Sequence, residues 1–150
     1  MSAAYESQSI NILLVEDNPG DIRLTQEVLK EGKLQNTLSV VMDGEEAMLY
    51  LKKEAQYKNA ITPDLILLDL NLPKRDGREV LSMIKNDPAL VCIPVIILTT
   101  SAAEADVHGT YSNHANCYIT KPVDFSQFIC VIRAIENFWL TIVKLPYREK

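Results

Sequence analysis

Five side chains of the sequence could together bind a metal ion and a phosphate group. Glu16, Asp17, Asp69, Thr99 and Lys121 stand at or just beyond the ends of short apolar runs. Two carboxylates about 4 Å apart repel by roughly 4 kcal/mol at an effective dielectric of about 20, and a divalent cation offsets that repulsion. Oxygen ligands without histidine or cysteine favour Mg²⁺ or Mn²⁺ over zinc. A lysine ammonium and a threonine hydroxyl bind phosphate oxygens. The set therefore predicts a cation site that also holds phosphate oxygens.

The apolar runs that precede these side chains predict buried β-strands. Each run is continuous rather than alternating, which is typical of strands covered on both faces of a parallel sheet. A helical segment follows each run, so we predict an α/β fold: a doubly wound, five-stranded parallel sheet with helices on both faces. The carboxyl ends of parallel strands share one edge of the sheet, where such folds bind ligands. The runs are 12–15, 38–41, 65–68, 95–98 and 117–119.

One of the predicted helices is weak. It begins at Ser101, with Glu104 at the spacing of a capping box. It contains Gly109 and has few apolar residues besides Val107 and Tyr111. A helix with so little to bury is a candidate for a moving part.

Composition restricts the class of protein. A chain of 150 residues is expected to form one domain. The net charge of -5 argues against nucleic acid as a partner, because phosphate neutralisation requires an excess of lysine and arginine. No apolar run approaches the length of a membrane span. The first residues lack the basic start and apolar core of a signal peptide. We therefore expect a soluble, cytoplasmic protein without a membrane partner.

The expected organisation is a flexible arm at 1–9, one globular domain at 10–143 and a tail at 144–150. The three cysteines form no C-x-x-C motif, so we expect reduced thiols buried in the core of a protein from a reducing compartment. They are Cys92, Cys117 and Cys130.

The constellation at the strand ends resembles the receiver domain of two-component response regulators, over about residues 9–140. The residues that carry the resemblance are Glu16-Asp17, Asp69, Thr99 and Lys121-Pro122, in this order. The resemblance implies a flavodoxin-like (CheY-like) fold with strand order 2-1-3-4-5. It also implies that Asp69 accepts a phosphoryl group from the phosphohistidine of a sensor histidine kinase or from a small phosphodonor. Such a protein signals by changed protein contacts and is not an enzyme that acts on a separate substrate.

The resemblance also implies roles for individual residues. Asp17, Asp69 and the backbone carbonyl of Asn71 would hold the metal ion, with Glu16 acting directly or through a water. Thr99 and Lys121 would bind the phosphoryl oxygens.

Further positions match residues that transmit or time the signal in receivers. Thr99 and Tyr118 resemble the switch pair, in which the aromatic ring turns inward when the threonine moves towards the phosphate. Asn71 and Ser101 resemble the positions that tune the lifetime of the phosphoryl group. The Lys121-Pro122 peptide bond is expected to be cis.

Two short segments resemble a narrower group, the stand-alone regulators that partner cyanobacterial phytochromes. They are the ten residues from Asn71 to Val80 and the terminal Phe138-Trp139-Leu140. The expected partner is therefore a sensor histidine kinase of the phytochrome class.

The last predicted helix is apolar on nearly all sides, which is typical of a helix covered on more than one face. We expect it to form a homodimer interface. The alternative is that the segment Leu145-Pro146-Tyr147 folds back over it. The predicted interface residues are Phe125, Phe128, Val131 and Phe138.

Other functions fit parts of the pattern. A magnesium-dependent phosphohydrolase of the haloacid dehalogenase type also uses a strand-end aspartate, but Asn71 stands where its acid–base aspartate would be. A pseudo-receiver, an interaction module of the same fold, would lack the intact set of acids. A flavodoxin-type flavin carrier would need a serine- and threonine-rich phosphate loop after Val15.

Overall fold

A computed structural model describes residues 9–31, 35–100, 104–121 and 124–138 of the chain. Five strands form one sheet within these residues: β1 (Ile10–Val15), β2 (Asn36–Val41), β3 (Leu65–Leu68), β4 (Val95–Thr99) and β5 (Cys117–Thr120). All four strand pairs are parallel, and the order across the sheet is β2-β1-β3-β4-β5. The predicted sheet and its strand order are confirmed.

Helices follow the strands in the same ranges: α1 (Pro19–Lys30), α2 (Gly44–Lys52), α3 (Gly77–Lys85), α4 (Glu104–Ser112) and α5 (Phe125–Ile135). α1 and α5 pack on one face of the sheet. α2 and α3 pack on the other face. A short 3₁₀ turn, Ala55–Tyr57, lies in the connection between α2 and β3. No helix in the described ranges is long and apolar enough to cross a bilayer.

The central strands carry the core. Every residue of β3 and β4 is buried, and so are the last four residues of β1. Successive side chains point to opposite faces, so Ile66 and Leu68 join one apolar cluster while Leu65 and Leu67 join the other. Fully burying such a side chain stabilises the fold by about 1.5–3 kcal/mol. Cover on both faces explains why the strands are continuously apolar in sequence.

Side-chain caps fix where four helices begin. Each cap accepts a hydrogen bond from a backbone N–H in the first turn and stabilises its helix by about 1 kcal/mol. Because these helices begin beyond the carboxyl ends of the strands, the caps also fix the loops at that edge of the sheet. The pairs are Asn18 with Asp21, Asp43 with Glu46, Asp76 with Arg78, and Asp124 with Gln127.

The cysteine prediction is wrong in part. All three cysteines are unpaired, as expected, but Cys92 and Cys130 are exposed and Cys117 is only half-buried. Cys92 lies in the connection between α3 and β4, and Cys130 lies on the outer side of α5, so neither belongs to the core. Residues 1–8 of the predicted arm and the predicted tail, 144–150, lie outside the described residues.

Candidate metal and phosphate site

Backbone hydrogen bonds continue for one residue beyond the ends of two strands. They hold the predicted site residues at one edge of the sheet. Asp69, the residue after β3, donates its N–H to the carbonyl of Val15 in β1 at 3.0 Å. Lys121, the residue after β5, donates its N–H to the carbonyl of Thr99 in β4 at 2.6 Å. The backbone of both residues is therefore held by a neighbouring strand rather than by a free loop.

Three carboxylates meet at this edge. Glu16, Asp17 and Asp69 each offer an oxygen atom, and these atoms all lie within 4.8 Å of one another. Glu16 and Asp69 are buried, and Asp17 is half-buried. A donor set made only of carboxylate oxygens suits a hard divalent cation such as Mg²⁺ or Mn²⁺. The residues present therefore fit the predicted ion.

Lys121 lies against the same carboxylates. Its Nζ atom is 2.5 Å from Glu16 Oε1, 2.9 Å from Asp21 Oδ2 and 3.3 Å from Asp69 Oδ2. Burial alone would lower the pKa of Lys121, but hydrogen bonds to Glu16 and Asp21 outweigh burial and raise the pKa above its ordinary value. The ammonium therefore stays charged across the physiological range.

For Glu16, the effect of burial on the pKa outweighs the effect of its hydrogen bonds. Burial raises the pKa of Glu16 to about 7, and the negative charge of Asp69 adds to this effect, while Lys121 opposes it. Its Oε2 also accepts a hydrogen bond from the N–H of Asn18 at 3.2 Å. The ammonium of Lys121 thus does not fully offset the burial of the Glu16 carboxylate and the charge of Asp69, and a divalent cation would add positive charge to the site.

The loop after Asp69 depends on close backbone approach. A Cβ atom at Gly77, the first residue of α3, would lie 2.2 Å from the carbonyl oxygen of Asp69. A Cβ atom at Gly44, the first residue of α2, would lie 2.0 Å from the carbonyl oxygen of Arg75. Only glycine lets these two helices begin so near the loop. The starts of α2 and α3 therefore confine the chain that carries Asp69.

Asn71 and Thr99 lie next to Asp69, and Tyr118 lies in the neighbouring strand β5. Thr99 is fully buried, and its Oγ1 lies 3.5 Å from Asn71 Nδ2, a long contact. The N–H of Asn71 donates to Asp69 Oδ1 at 3.2 Å. Tyr118 is half-buried against the core, and its N–H donates to the hydroxyl of Tyr111 in α4 at 3.1 Å. The backbone of Tyr118 in β5 is therefore in direct contact with α4 through the Tyr111 hydroxyl.

The positions predicted for lifetime and peptide geometry are only partly described. Asn71 lies beside Asp69, but Ser101 lies outside the described residues. So does Pro122, and with it the peptide bond that the resemblance predicts to be cis.

The prediction that Phe128 lies on the dimer interface is wrong. Phe128 is 3% exposed and packs in the core beneath α5, so it cannot lie on a dimer surface. The apolar pattern of α5 showed that several faces are hydrophobic but not which face meets the sheet. Val131 is half-buried and Phe138 is 52% exposed, so these two residues are accessible. The side chain of Phe125 lies outside what the structure describes.

The sequence interpretation missed one member of the site, Asp21. An acidic residue in the first turn of a helix is already explained by the helix dipole, so its type and position indicate no further role. The available signal was its spacing, four residues after Asp17 and so near the same end of β1. Its contact with Lys121 joins residues 100 positions apart, which spacing alone cannot reveal.

The chain belongs to the response regulator receiver family. The family model for the response regulator receiver domain matches residues 12–133. Among curated proteins, the chain is 50% identical over 135 residues to the response regulator Rcp1 of Synechocystis sp., covering 90% of this chain and 92% of that protein.

Two solved structures are closely similar. The Mn²⁺-bound form of response regulator Rcp1 aligns with a TM-score of 0.90 and 49% identity, covering 92% of this chain and 99% of that chain. The phosphorylated cyanobacterial phytochrome response regulator RcpA aligns with a TM-score of 0.91 and 52% identity, covering 93% of this chain and 100% of that chain. The resemblance to receivers and to phytochrome response regulators is confirmed.

Proposed function

We propose that this chain is a phosphoacceptor in a two-component system and that Asp69 is the residue phosphorylated. The observation that carries the proposal is the meeting of the carboxylates of Glu16, Asp17 and Asp69, with the ammonium of Lys121 against Glu16 and Asp69. The phosphoryl donor is the phosphohistidine of a sensor histidine kinase or a small acyl phosphate. The protein reacts on its own side chain and turns over no separate substrate.

The metal ligands in this proposal are Asp17, Asp69 and the backbone carbonyl of Asn71, with Glu16 acting directly or through a water. A bound Mg²⁺ or Mn²⁺ neutralises charge on the phosphoryl oxygens. The carboxylate cluster supports this assignment. The similarity to the Mn²⁺-bound form of Rcp1 supports it as well.

The reaction itself needs little from the protein beyond position and charge. A carboxylate oxygen of Asp69 attacks phosphorus in line, the P–N bond to the donor histidine breaks, and the imidazole leaves with the electron pair. Lys121 and the hydroxyl of Thr99 bind the equatorial oxygens. Water later attacks phosphorus, which releases inorganic phosphate and restores the free carboxylate, at a rate that Asn71 and Ser101 tune.

The phosphoryl group adds about two negative charges and strong hydrogen-bond acceptors at Asp69. Thr99 moves towards the new oxygens and Tyr118 follows, which changes the position of α4. The link between Tyr118 and Tyr111 supports this route. The signal is then the altered surface around α4.

The partner in this proposal is a phytochrome-class sensor histidine kinase, and phosphotransfer from this kinase takes place in the cytoplasm. The support for this partner is the 52% identity to RcpA, a cyanobacterial phytochrome response regulator. We also propose a homodimer through α5 and the residues that follow it, which the accessible side chains of Val131 in α5 and Phe138 beyond it support.

The test is intact-protein mass spectrometry after mixing with acetyl phosphate and Mg²⁺. The wild type should gain one phosphoryl group, Asp69→Asn should gain none, and EDTA should abolish the labelling of the wild type. Asp64→Asn is the matched control, because Asp64 lies at the opposite end of β3 and should leave labelling unchanged. Equal labelling of wild type and Asp69→Asn would refute the assignment.

A further inference from the structure

Lys121 has a partner outside the set of residues predicted from the receiver pattern. Besides Glu16 and Asp69, its ammonium donates to Asp21 Oδ2 at 2.9 Å, a shorter contact than the 3.3 Å to Asp69 Oδ2. An ammonium has three N–H donors. Among the described residues, the three carboxylates use all of them. Asp21 is therefore an equal member of the group that decides where this ammonium points.

The backbone of Asp21 is fixed from both sides. Its N–H donates to Asn18 Oδ1 at 3.0 Å, and its carbonyl accepts a hydrogen bond from Thr25 Oγ1 at 2.8 Å. The short side chain of an aspartate on a fixed backbone has little freedom. Asp21 is therefore a rigid anchor that comes from α1, whereas Lys121 comes from the opposite half of the sheet.

The geometry divides the three partners into two kinds. Glu16 and Asp21 hold the ammonium by the two shorter contacts, and Asp69 takes the third N–H through the longest one. When Asp69 is phosphorylated, a phosphoryl oxygen must take this third N–H. The other two contacts leave the third N–H directed at the place where the phosphoryl group forms.

We propose that Asp21 is a positioning residue for phosphotransfer: together with Glu16 it aims the ammonium of Lys121 at Asp69. The inference rests on the proposed function and adds to it a residue outside the predicted ligand set. Lysine has a long, flexible stem with a compact charge, so a single anchor would leave the ammonium free to turn away from the phosphoryl oxygens. The second anchor removes that freedom before the donor arrives.

Asp21 could instead act through its negative charge, and experiment can distinguish this role from the positioning role. Asp21 also adds a negative charge near the cation site, and its side chain is 26% exposed. If charge were its role, removing the charge would weaken Mg²⁺ binding, and saturating Mg²⁺ would restore the rate. If position is its role, a neutral side chain that still accepts the hydrogen bond is sufficient. Asparagine has that property and alanine does not.

The experiment compares wild type, Asp21→Ala, Asp21→Asn and Glu27→Ala. Glu27 is an exposed acid on the same helix, so Glu27→Ala removes a charge from α1 without touching Lys121. Initial phosphorylation rates are measured by intact mass spectrometry with acetyl phosphate at saturating Mg²⁺. Mg²⁺ affinity is measured separately by calorimetry, and thermal unfolding verifies that each variant is folded. Asp21→Ser, whose side chain is too short to reach Lys121, repeats the test if Asp21→Ala does not fold.

We expect Asp21→Ala to lower the maximal rate by about tenfold while Asp21→Asn stays within about twofold of wild type. Glu27→Ala should match wild type. A wild-type rate for Asp21→Ala at saturating Mg²⁺ would overturn the positioning role. So would an Asp21→Asn rate as low as that of Asp21→Ala. If the wild type itself is not labelled, the proposed function fails first, which distinguishes the two failures.

Discussion

The neighbouring helices α3 and α4 have nine residues each, yet different forces hold them. α3 buries Val80, Leu81 and Ile84 in the core beneath the sheet. In α4, among the side chains described from residue 106 onward, Thr110 is the buried one, and its hydroxyl bonds to the helix's own backbone. Apolar burial fixes α3, whereas little apolar burial fixes α4.

A polar contact joins the two helices instead. Arg78 of α3 forms a two-pronged ion pair with Asp106 of α4, with Nε–Oδ1 at 2.6 Å and Nη2–Oδ2 at 2.7 Å. Its Nη1 also donates to Asp76, the cap of α3, at 2.9 Å. The hydrogen bonds to Asp106 raise the pKa of Arg78 above its ordinary value. The pair thus holds a weak helix to a strong one.

A pocket lies next to this ion pair. A cavity of about 160 Å³ lies between α3 and α4, lined by Arg78, Leu81, Asp106, Gly109, Thr110 and Asn113. A Cβ atom at Gly109 would meet nothing within 4 Å. The two helices are therefore held in place to different degrees. α3 is tied by burial and by Gly77 to the loop of Asp69, whereas a change in a few polar contacts can displace α4.

The largest expected loss of stability comes from truncating a core side chain of α3. Ile84→Ala should lower the free energy of unfolding by about 2–5 kcal/mol, because it opens a cavity at a fully buried position. Val107→Ala in α4 is the matched truncation, and it should have a much smaller effect because Val107 is only half-buried. Urea denaturation measures both variants. Equal losses would mean that α4 is anchored as firmly as α3.

Gly77→Ala should have the next largest effect. The added methyl group would meet backbone atoms of Asp69 and Leu70 rather than a flexible side chain. The variant should lose about 1–3 kcal/mol of unfolding free energy, as overpacked sites do. It should also be phosphorylated more slowly, which mass spectrometry with acetyl phosphate measures. A wild-type melting temperature together with a wild-type rate would show that the loop has room to shift.

Arg78→Ala should act mainly on α4. The lost ion pair is partly exposed, so global stability should fall by no more than about 1 kcal/mol. Amide hydrogen exchange in α4 should speed up while exchange in α3 stays slow. Arg133→Ala is the control, since Arg133 joins α5 to Glu31 near α1 through an exposed pair. Unchanged exchange in α4 would show that Arg78 does not hold it.

The smallest effect is expected at Gly109. No glycine in the described ranges has a positive φ, so alanine can adopt this conformation. Gly109→Ala should stabilise the protein by roughly 0.5 kcal/mol through the lower entropy of the unfolded chain. It should also slow amide exchange in α4. Thermal unfolding and exchange measure the two effects, and a destabilised variant would mean that the helix needs glycine for another reason.

The sequence predicts the fold and most of the site, because both follow from local patterns and one rule of topology. Continuous apolar runs identify the strands, and parallel strands necessarily bring the residues at their carboxyl ends together. That is why Asp17, Asp69 and Lys121 could be grouped without coordinates.

The contacts that sequence does not predict depend on how helices approach one another and the sheet. Two such contacts are the hydrogen bond between Lys121 and Asp21 and the ion pair between Arg78 and Asp106. From the sequence alone, each of these charged residues has many possible partners. Phe128 illustrates the same difficulty on an apolar surface. Periodicity marks its helix as hydrophobic on several sides, but only packing shows that Phe128 faces the core.

The most direct measurement is hydrogen exchange of the wild type before and after phosphorylation by acetyl phosphate, with intact mass verifying the modification in the same sample. We expect amide exchange to change in α4 and at Tyr118 while the buried part of α3 keeps its slow exchange. An unchanged α4 in fully phosphorylated protein, or an equal change in both helices, would contradict this expectation.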